Sequence, residues 1–288
     1  MKRNFLGSAI GVMLITLACG LIVPAMPAQP AVGTIVAETL QAVTAIVPTP
    51  TAPNGIPISF QNVTFIIPEG MASGANSELI SAIGEENGAP WDVAPEHIVF
   101  SLNGYLDDTP NGIHPTIMIF PAKEYTDLNA GAGLSLPLLQ YALANPSAAI
   151  TVDTAPPVPY FNAGQIMVAQ PAIVNFQNGS GLRTIAHYTQ FVSPIIRNGQ
   201  FYHYQGLTTD GKYYIIAVIH IISPLLSSGD NPSADGVQFP DFSSATPEEI
   251  AAYYQSMADL LNAASPESFE PALTQLDALI QSITIISE

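Results

Sequence analysis

The sequence is poor in charged residues, poorest in basic ones, and it has a single cysteine. Charged residues make up 10% of the 288 residues, against roughly 25% in typical soluble domains. Lys and Arg number 6 and Asp and Glu number 23, so the formal net charge is −17. This balance excludes nucleic-acid binding through a basic surface, because phosphate contacts need clusters of Lys and Arg. The length allows one sizeable core, which excludes a small disulfide-stapled scaffold.

The single cysteine, Cys19, lies near the end of an uncharged N-terminal stretch. Lys2 and Arg3 precede apolar and small residues from position 5 to position 23, a pattern typical of an export signal. Three outcomes stay open: lipidation of Cys19, cleavage around Ala25, or retention as a membrane anchor. We therefore predict that residues 1–23 are a signal peptide or membrane anchor. In each case the rest of the chain is expected outside the cytoplasm, in the cell envelope or secreted, and held at the membrane by its N-terminus unless cleaved.

Residues 24–57 are rich in Pro, Ala and Thr. Alternating prolines lack N–H donors and favour an extended backbone, so this segment is predicted to be a spacer. Within it, residues 34–47 could form a short helix or be disordered. Residues 58–288 are predicted to form one globular domain, in which neither disulfides nor thiol chemistry can contribute because it contains no cysteine.

Two stretches of the chain have the pattern of β-hairpins. In each, runs rich in aromatic and β-branched residues flank a short turn, at Asn178-Gly179 and at Asp210-Gly211, and the turn residues tolerate the positive φ that hairpins need. Together they predict a four-stranded meander over residues 165–176, 182–192, 201–208 and 212–222. Further β-rich runs at residues 58–67, 97–102 and 115–120 give a mainly antiparallel sheet of six or seven strands.

Helices are predicted to cover this sheet. The four residues from Thr246 to Glu249 form a capping box with proline at the first helical position, and an apolar stripe follows. A second amphipathic helix is predicted from Ser265, and shorter helices at residues 79–83 and 136–144. The apolar faces of the two C-terminal helices need a surface against which to pack, and one face of an antiparallel sheet provides it. The predicted fold class is therefore α+β.

The two hairpins also carry a resemblance. FQNGSGLR, within residues 175–195, and FYHYQGLTTDGKYY, within residues 201–224, resemble the core of an uncharacterised family of exported bacterial lipoprotein-like domains. Its members often carry a Thr/Pro spacer behind a lipoprotein-type signal. The resemblance covers residues 58–224 and implies no activity. The order of elements also resembles the PsbP/Mog1-type sandwich, which is an analogy of fold only.

The histidines of the hairpins are the first candidates for a site. A two-residue turn at Asp210-Gly211 puts Phe201 opposite His220 and His203 opposite Val218, so His203 and His220 lie diagonally on one face. His187, on the neighbouring hairpin, could join them. Three imidazoles on one face could hold zinc, but these strands contain no thiolate or carboxylate. We therefore expect packed histidines, with no metal and no cofactor.

Arg183 is the second candidate, because bases are scarce and this one lies within an apolar strand. A buried guanidinium needs a carboxylate, either from an internal Asp or Glu or from a bound ligand. No catalytic residue is predicted, since Ser180 lies in a hairpin turn and not between a strand and a helix, and phosphate-loop or paired-histidine motifs are absent. The candidate ligand-binding residues are Arg183, His187, Tyr202, His203, Tyr204 and His220.

These observations favour a non-enzymatic binding or assembly module in the cell envelope, with an unidentified protein or small molecule as partner. One alternative is an extracytoplasmic hydrolase or other small-substrate enzyme on the sheet face. It predicts a concave site lined by Tyr202, His203, Tyr204 and His220. A second alternative is a structural surface protein.

Overall fold

The computed structural model describes residues 53–106, 114–159, 162–228, 233–234, 237–241 and 243–287. The predicted signal or anchor and most of the spacer lie outside the described residues. The strands are β1 (Gly55–Phe60), β2 (Val63–Pro68), β3 (Gly74–Ile80), β4 (His97–Asn103), β5 (Thr116–Pro121), β6 (Gly164–Phe176), β7 (Gly179–Thr189), β8 (Gln200–Thr208), β9 (Tyr213–Ile221), β10 (Ser233–Ala234), β11 (Val237–Gln238) and β12 (Thr284–Ile285). The helices are α1 (Ala122–Leu128), α2 (Ala130–Ala144), α3 (Pro247–Ala263) and α4 (Leu273–Gln281), with a 3-10 turn at Pro266–Ser268. Among the described residues, no helix is long and apolar enough to cross a membrane.

A seven-stranded antiparallel sheet lies at the centre of the domain, in the order β3-β4-β5-β9-β8-β7-β6. The α+β class, the strand number and the meander from β6 to β9 are confirmed. β9 also pairs with β5, which joins the meander to the earlier strands. Strands β7, β8 and β9 are buried along almost their whole length, so both faces of the sheet are covered.

The two faces of the sheet bury separate cores. On one face Ile185 and Ile219 belong to a cluster with Leu261 of α3 and Leu276 of α4. On the other face the cluster contains Phe201, Tyr214 and Val218 of the sheet together with Tyr125 of α1 and Ala132 and Leu139 of α2. Alternate residues of each strand therefore serve different layers.

A second, three-stranded sheet with the order β1-β2-β12 packs on the α3 and α4 side. Residues 58–67 were expected to form one strand of the main sheet, but Gln61 has φ 53° and turns the chain into a hairpin of β1 and β2, which belongs to this second sheet. β1 also begins at Gly55, ahead of the predicted boundary at residue 58. At the opposite edge of β2, Asn178 binds the backbone of Ile285 through both its amide nitrogen and its carbonyl oxygen, which stabilises β12.

Three helix predictions need correction. Residues 79–83 contain no helix; Leu79 and Ile80 complete β3, because the free edge of β4 supplies backbone partners. The helix expected over residues 136–144 begins earlier, at Ala130, where the Asn129 side chain accepts a hydrogen bond from Ala132 N. The helix expected from Ser265 is interrupted, since Glu270 exchanges two backbone hydrogen bonds with Ile222 and α4 starts only afterwards.

The turn of the first hairpin also differs from its prediction. Phe176 pairs with Gly179, so the turn residues are Gln177 and Asn178, and Gly179 belongs to β7. A Cβ at Gly179 would lie 2.4 Å from the carbonyl oxygen of Leu207. This glycine is therefore needed for close approach of β8 and not for a positive φ.

Candidate functional site

The strand register divides the six candidate residues between the two faces of the sheet. Phe201 pairs with His220 and His203 with Val218, as predicted, so His203 and His220 lie on the face that α1 and α2 cover. In the neighbouring pair of strands, His203 is opposite Thr184 and Arg183 is opposite Tyr204. Arg183, His187, Tyr202 and Tyr204 therefore lie on the other face. The prediction that His187 could join the two other histidines is wrong, because it is one step out of phase with them.

On the α3 and α4 side, Arg183 is paired with Asp277 of α4. Arg183 is 5% exposed, and its Nε lies 3.5 Å from Asp277 Oδ1. Tyr202 donates a hydrogen bond of 2.9 Å to the same oxygen. Burial raises the pKa of Asp277, and the charge of Arg183 and the Tyr202 hydrogen bond oppose this increase only in part. The internal partner, one of the two alternatives for Arg183, is thus present in α4.

The pair leaves part of the guanidinium without hydrogen-bond partners. Nε and Nη1 of Arg183 are buried and neither meets the geometry of a hydrogen bond. Tyr204, opposite Arg183 in β8, donates its hydroxyl to Val174 O at 3.0 Å. Burial raises the pKa values of Tyr202 and Tyr204 well above the usual range, so both phenols are hydrogen-bond donors and not bases.

On the opposite face, His203 belongs to a hydrogen-bonded group around Val158. His203 Nε2 lies 2.7 Å from Val158 O. Because a carbonyl only accepts, this geometry assigns the ring proton to Nε2. Gln205 donates to the same carbonyl at 2.6 Å and to Pro156 O at 2.9 Å, and its own oxygen accepts from the Tyr214 hydroxyl. Burial lowers the pKa of His203 to about 4, so the ring is neutral at pH 7.

His187 and His220 lie near one end of the sheet, but on different faces. The His187 ring contacts Gly199, where a Cβ would come within 2.7 Å of its Cε1. Burial lowers the pKa of His187 to about 4. His220 Nε2 lies 3.1 Å from Asn198 O, and the carbonyl of His220 accepts a hydrogen bond from Tyr105. The three imidazoles therefore face different backbone groups and share no common point.

Several polar residues of these clusters were not singled out by the sequence reasoning. Asp277 could have been found because it lies on α4 between the buried Leu276 and Ile280, where an apolar residue is expected. Gln205 likewise lies between Tyr204 and Leu207 in β8, a strand that is buried along its whole length. Gln200 and Ser223 are fully buried, and Gln200 Oε1 and Ser223 Oγ have no hydrogen-bond partner.

The chemistry open to these clusters is limited by their burial. None of the six candidate residues is more than 7% exposed. In the parts of the chain that the structure describes, no group of three or more His, Cys, Asp or Glu side chains is placed to hold a metal ion. A small surface pocket lies elsewhere, lined by Asn145 and by apolar residues that include Ala142, Pro146 and Ile150. The concave site that the hydrolase alternative predicts is not formed by Tyr202, His203, Tyr204 and His220, since these residues lie on opposite faces.

Comparison with known proteins gives no relative: no protein-family model, no curated protein and no solved structure matches this chain.

Proposed function

We propose that the chain is an exported, membrane-anchored, acidic domain that acts by binding or assembly rather than by catalysis. One observation supports the non-catalytic part of this proposal: four polar side chains of β8, at the centre of the sheet, bind groups within the fold, namely Tyr202, His203, Tyr204 and Gln205. Tyr202 donates to Asp277, and His203 lies within hydrogen-bond distance of Val158 O. A catalytic nucleophile or base needs an open position for the reacting atom, and these groups are enclosed on both sides.

The anchoring half of the proposal is supported by the sequence. Two basic residues, Lys2 and Arg3, precede an apolar stretch over residues 5–23, and a proline-rich spacer follows before the described domain begins. A domain held in this way works at a membrane surface, and a long spacer lets it contact partners some distance from its point of attachment.

The proposal is tested with the full-length chain, carrying a C-terminal epitope, in a bacterial host. We expect the protein in the membrane fraction and cleaved by protease added to intact spheroplasts. Cys19→Ala should move it to the soluble fraction if the cysteine is lipidated, whereas Gly20→Ala, which keeps a small residue after Cys19, should not. A Cys19→Ala protein that stays in the membrane would indicate an uncleaved span. A wild-type protein found in the cytoplasm would contradict the proposal.

The non-catalytic half needs a separate readout in the same host. Where a strain without the protein has an envelope phenotype, Tyr202→Phe and His203→Gln variants that fold and reach the membrane should restore the wild-type phenotype in that strain. A folded, correctly located variant that fails to do so would instead support the enzyme alternative.

A further inference from the structure

The outer face of α2 is apolar and exposed. The helix contains no charged residue, and its inner face packs Ala132, Leu139 and Ala142 against the sheet. Its outer face presents apolar residues at i, i+3, i+4 and i+7, and two of them are among the most exposed large apolar side chains: Leu134 at 64% and Tyr141 at 54%. A helix that is apolar all round is normally buried on all sides. The residues of this outer face are Leu134, Pro137, Leu138 and Tyr141.

A tryptophan lies in a loop that is hydrogen-bonded to the residue preceding the same helix. Trp91 is 41% exposed and is the only tryptophan of the chain. Its loop is attached to the start of α2 by Asn129, whose side-chain nitrogen donates to Val93 O at 2.7 Å. Trp and Tyr combine an apolar ring with a polar group, and they are enriched where proteins meet the boundary between lipid and water.

We propose that the outer face of α2, together with Trp91, rests on the surface of the lipid bilayer to which the N-terminus holds the domain. This inference depends on the membrane anchoring proposed above. The bilayer is the partner that such an anchor keeps within reach at all times, and tethering makes even a weak contact effective.

Charge distribution favours this orientation. The chain has a net charge of −17, yet residues 128–152, which include α2, contain no Asp, Glu, Lys or Arg. An acidic surface is repelled by anionic headgroups within about a Debye length. The α2 part of this surface can therefore approach lipid without placing carboxylates there, whereas Trp91 is followed by the exposed Asp92.

The length of the chain before the domain permits the contact. β1, at the start of the described chain, belongs to the sheet on the α3 and α4 side, whereas α2 covers the opposite face. The spacer must therefore pass around the domain for α2 to face the membrane. Residues 24–53 could extend to about 90 Å as polyproline II, and a domain of this size has a radius of gyration of about 17 Å.

The test uses Trp91 as a probe in the full-length protein. The protein is reconstituted into phosphatidylcholine vesicles with or without bromine on the acyl chains. We expect brominated lipid to quench Trp91 fluorescence about twofold or more, because an interfacial indole lies close to the acyl region.

The double variant Leu134→Asp/Tyr141→Asp should lose this quenching, since charged residues at that depth are costly. The matched control is Phe191→Asp, which removes another exposed aromatic residue, 71% exposed, and should keep the quenching.

Each outcome separates docking from anchoring. Flotation of the vesicles reports whether the chain is anchored, and circular dichroism reports whether each variant is folded. A wild-type protein that floats with vesicles without bromine-dependent quenching would overturn the docking proposal and leave the anchor intact. Equal quenching in the double variant would overturn the role of α2. Dimers that form through Leu134 in the absence of quenching would assign the face to a second copy of the chain. A protein that does not float would refute the anchoring itself.

Discussion

Arg183 and Asp277 are charged residues enclosed between the sheet and α4. Burial raises the pKa of Asp277 despite the nearby guanidinium, which indicates that desolvation of the carboxylate exceeds the attraction within the pair. Nε and Nη1 of Arg183 also lack hydrogen bonds. A buried ion pair of this kind contributes little net stability but makes each partner dependent on the other. Its structural effect is to connect β7 with α4.

A double-mutant comparison tests this view of the pair. Asp277→Ala alone should lower the free energy of unfolding by about 3–5 kcal/mol, because it leaves a buried charge without its counterion. Arg183→Met/Asp277→Leu should be close to the wild type or more stable, because both charges are replaced by apolar volume. Urea unfolding of the full-length protein in mild detergent measures both. The matched control is Asp259→Ala, at an exposed position. If Asp277→Ala lowers the free energy of unfolding no more than this control does, the interpretation of the pair is wrong.

The candidate residues show which part of a site a sequence can predict. His203 and His220 were placed correctly because the predicted two-residue turn and the observed four-residue loop, which runs from Thr209 to Lys212, give the same register of β8 and β9. The position of His187 relative to them depends on the register of β7 and β8. The connection between these strands, residues 190–199, contains Asn198-Gly199 but is too long for its turn residues to set that register. Asp277 is distant in sequence from Arg183, and only the packing of α4 brings the two together.

At the scale of single elements, the hairpin between β8 and β9 depends on Gly211. This residue has φ +71° and no atom within 4 Å of a Cβ built on it, so any cost of substitution comes from the backbone conformation. Asp210, expected to share the positive φ, is not among the positive-φ residues. It accepts hydrogen bonds from Thr208 Oγ1 and Lys212 N instead.

Gly211→Val should therefore lower the free energy of unfolding by about 1–3 kcal/mol, because β-branched residues are strained in the left-handed region. Gly211→Asn is the matched control and should cost less, since Asn adopts this conformation more readily. Thermal unfolding compares the two variants. Equal melting temperatures for both would show that the backbone strain is released by a different turn.

Elements with strong local signals were predicted, and those set by tertiary pairing were not. The capping box at Thr246 begins α3 as expected, because its hydrogen bonds are local. Residues 79–80 have helical spacing but pair with β4, since an open strand edge offers more backbone hydrogen bonds than a short isolated helix. The division into β1 and β2 takes place at Gln61 and Asn62. Asn favours turns, but Gln61, which adopts the positive φ, has no turn preference of its own.

At the scale of the whole molecule, each covered face of the sheet encloses a histidine whose pKa is lowered by burial. His187 lies on the α3 and α4 side and His203 on the α1 and α2 side, and burial lowers the pKa of each to about 4. Protonation of either ring would place a charge inside a packed layer. Acid should therefore weaken both layers, because they share the same strands and are expected to unfold together.

We therefore expect acid to destabilise the fold as the pH falls from about 6.5 to about 4. Below the unfolded-state pKa of 6.5 the unfolded chain binds a proton at each of these histidines, whereas the native chain does so only near pH 4. The stabilisation is complete above 6.5, and at pH 5 about 2 kcal/mol is lost per histidine. Asp277 acts in the opposite direction, because its raised pKa favours the native state on acidification.

Urea unfolding between pH 7 and pH 5 measures this effect. The double variant His187→Gln/His203→Gln should lose less unfolding free energy than the wild type, each protein being compared with its own value at pH 7. The exposed His114→Gln should keep the wild-type loss, and an unchanged loss in the double variant would mean that other groups titrate in this range.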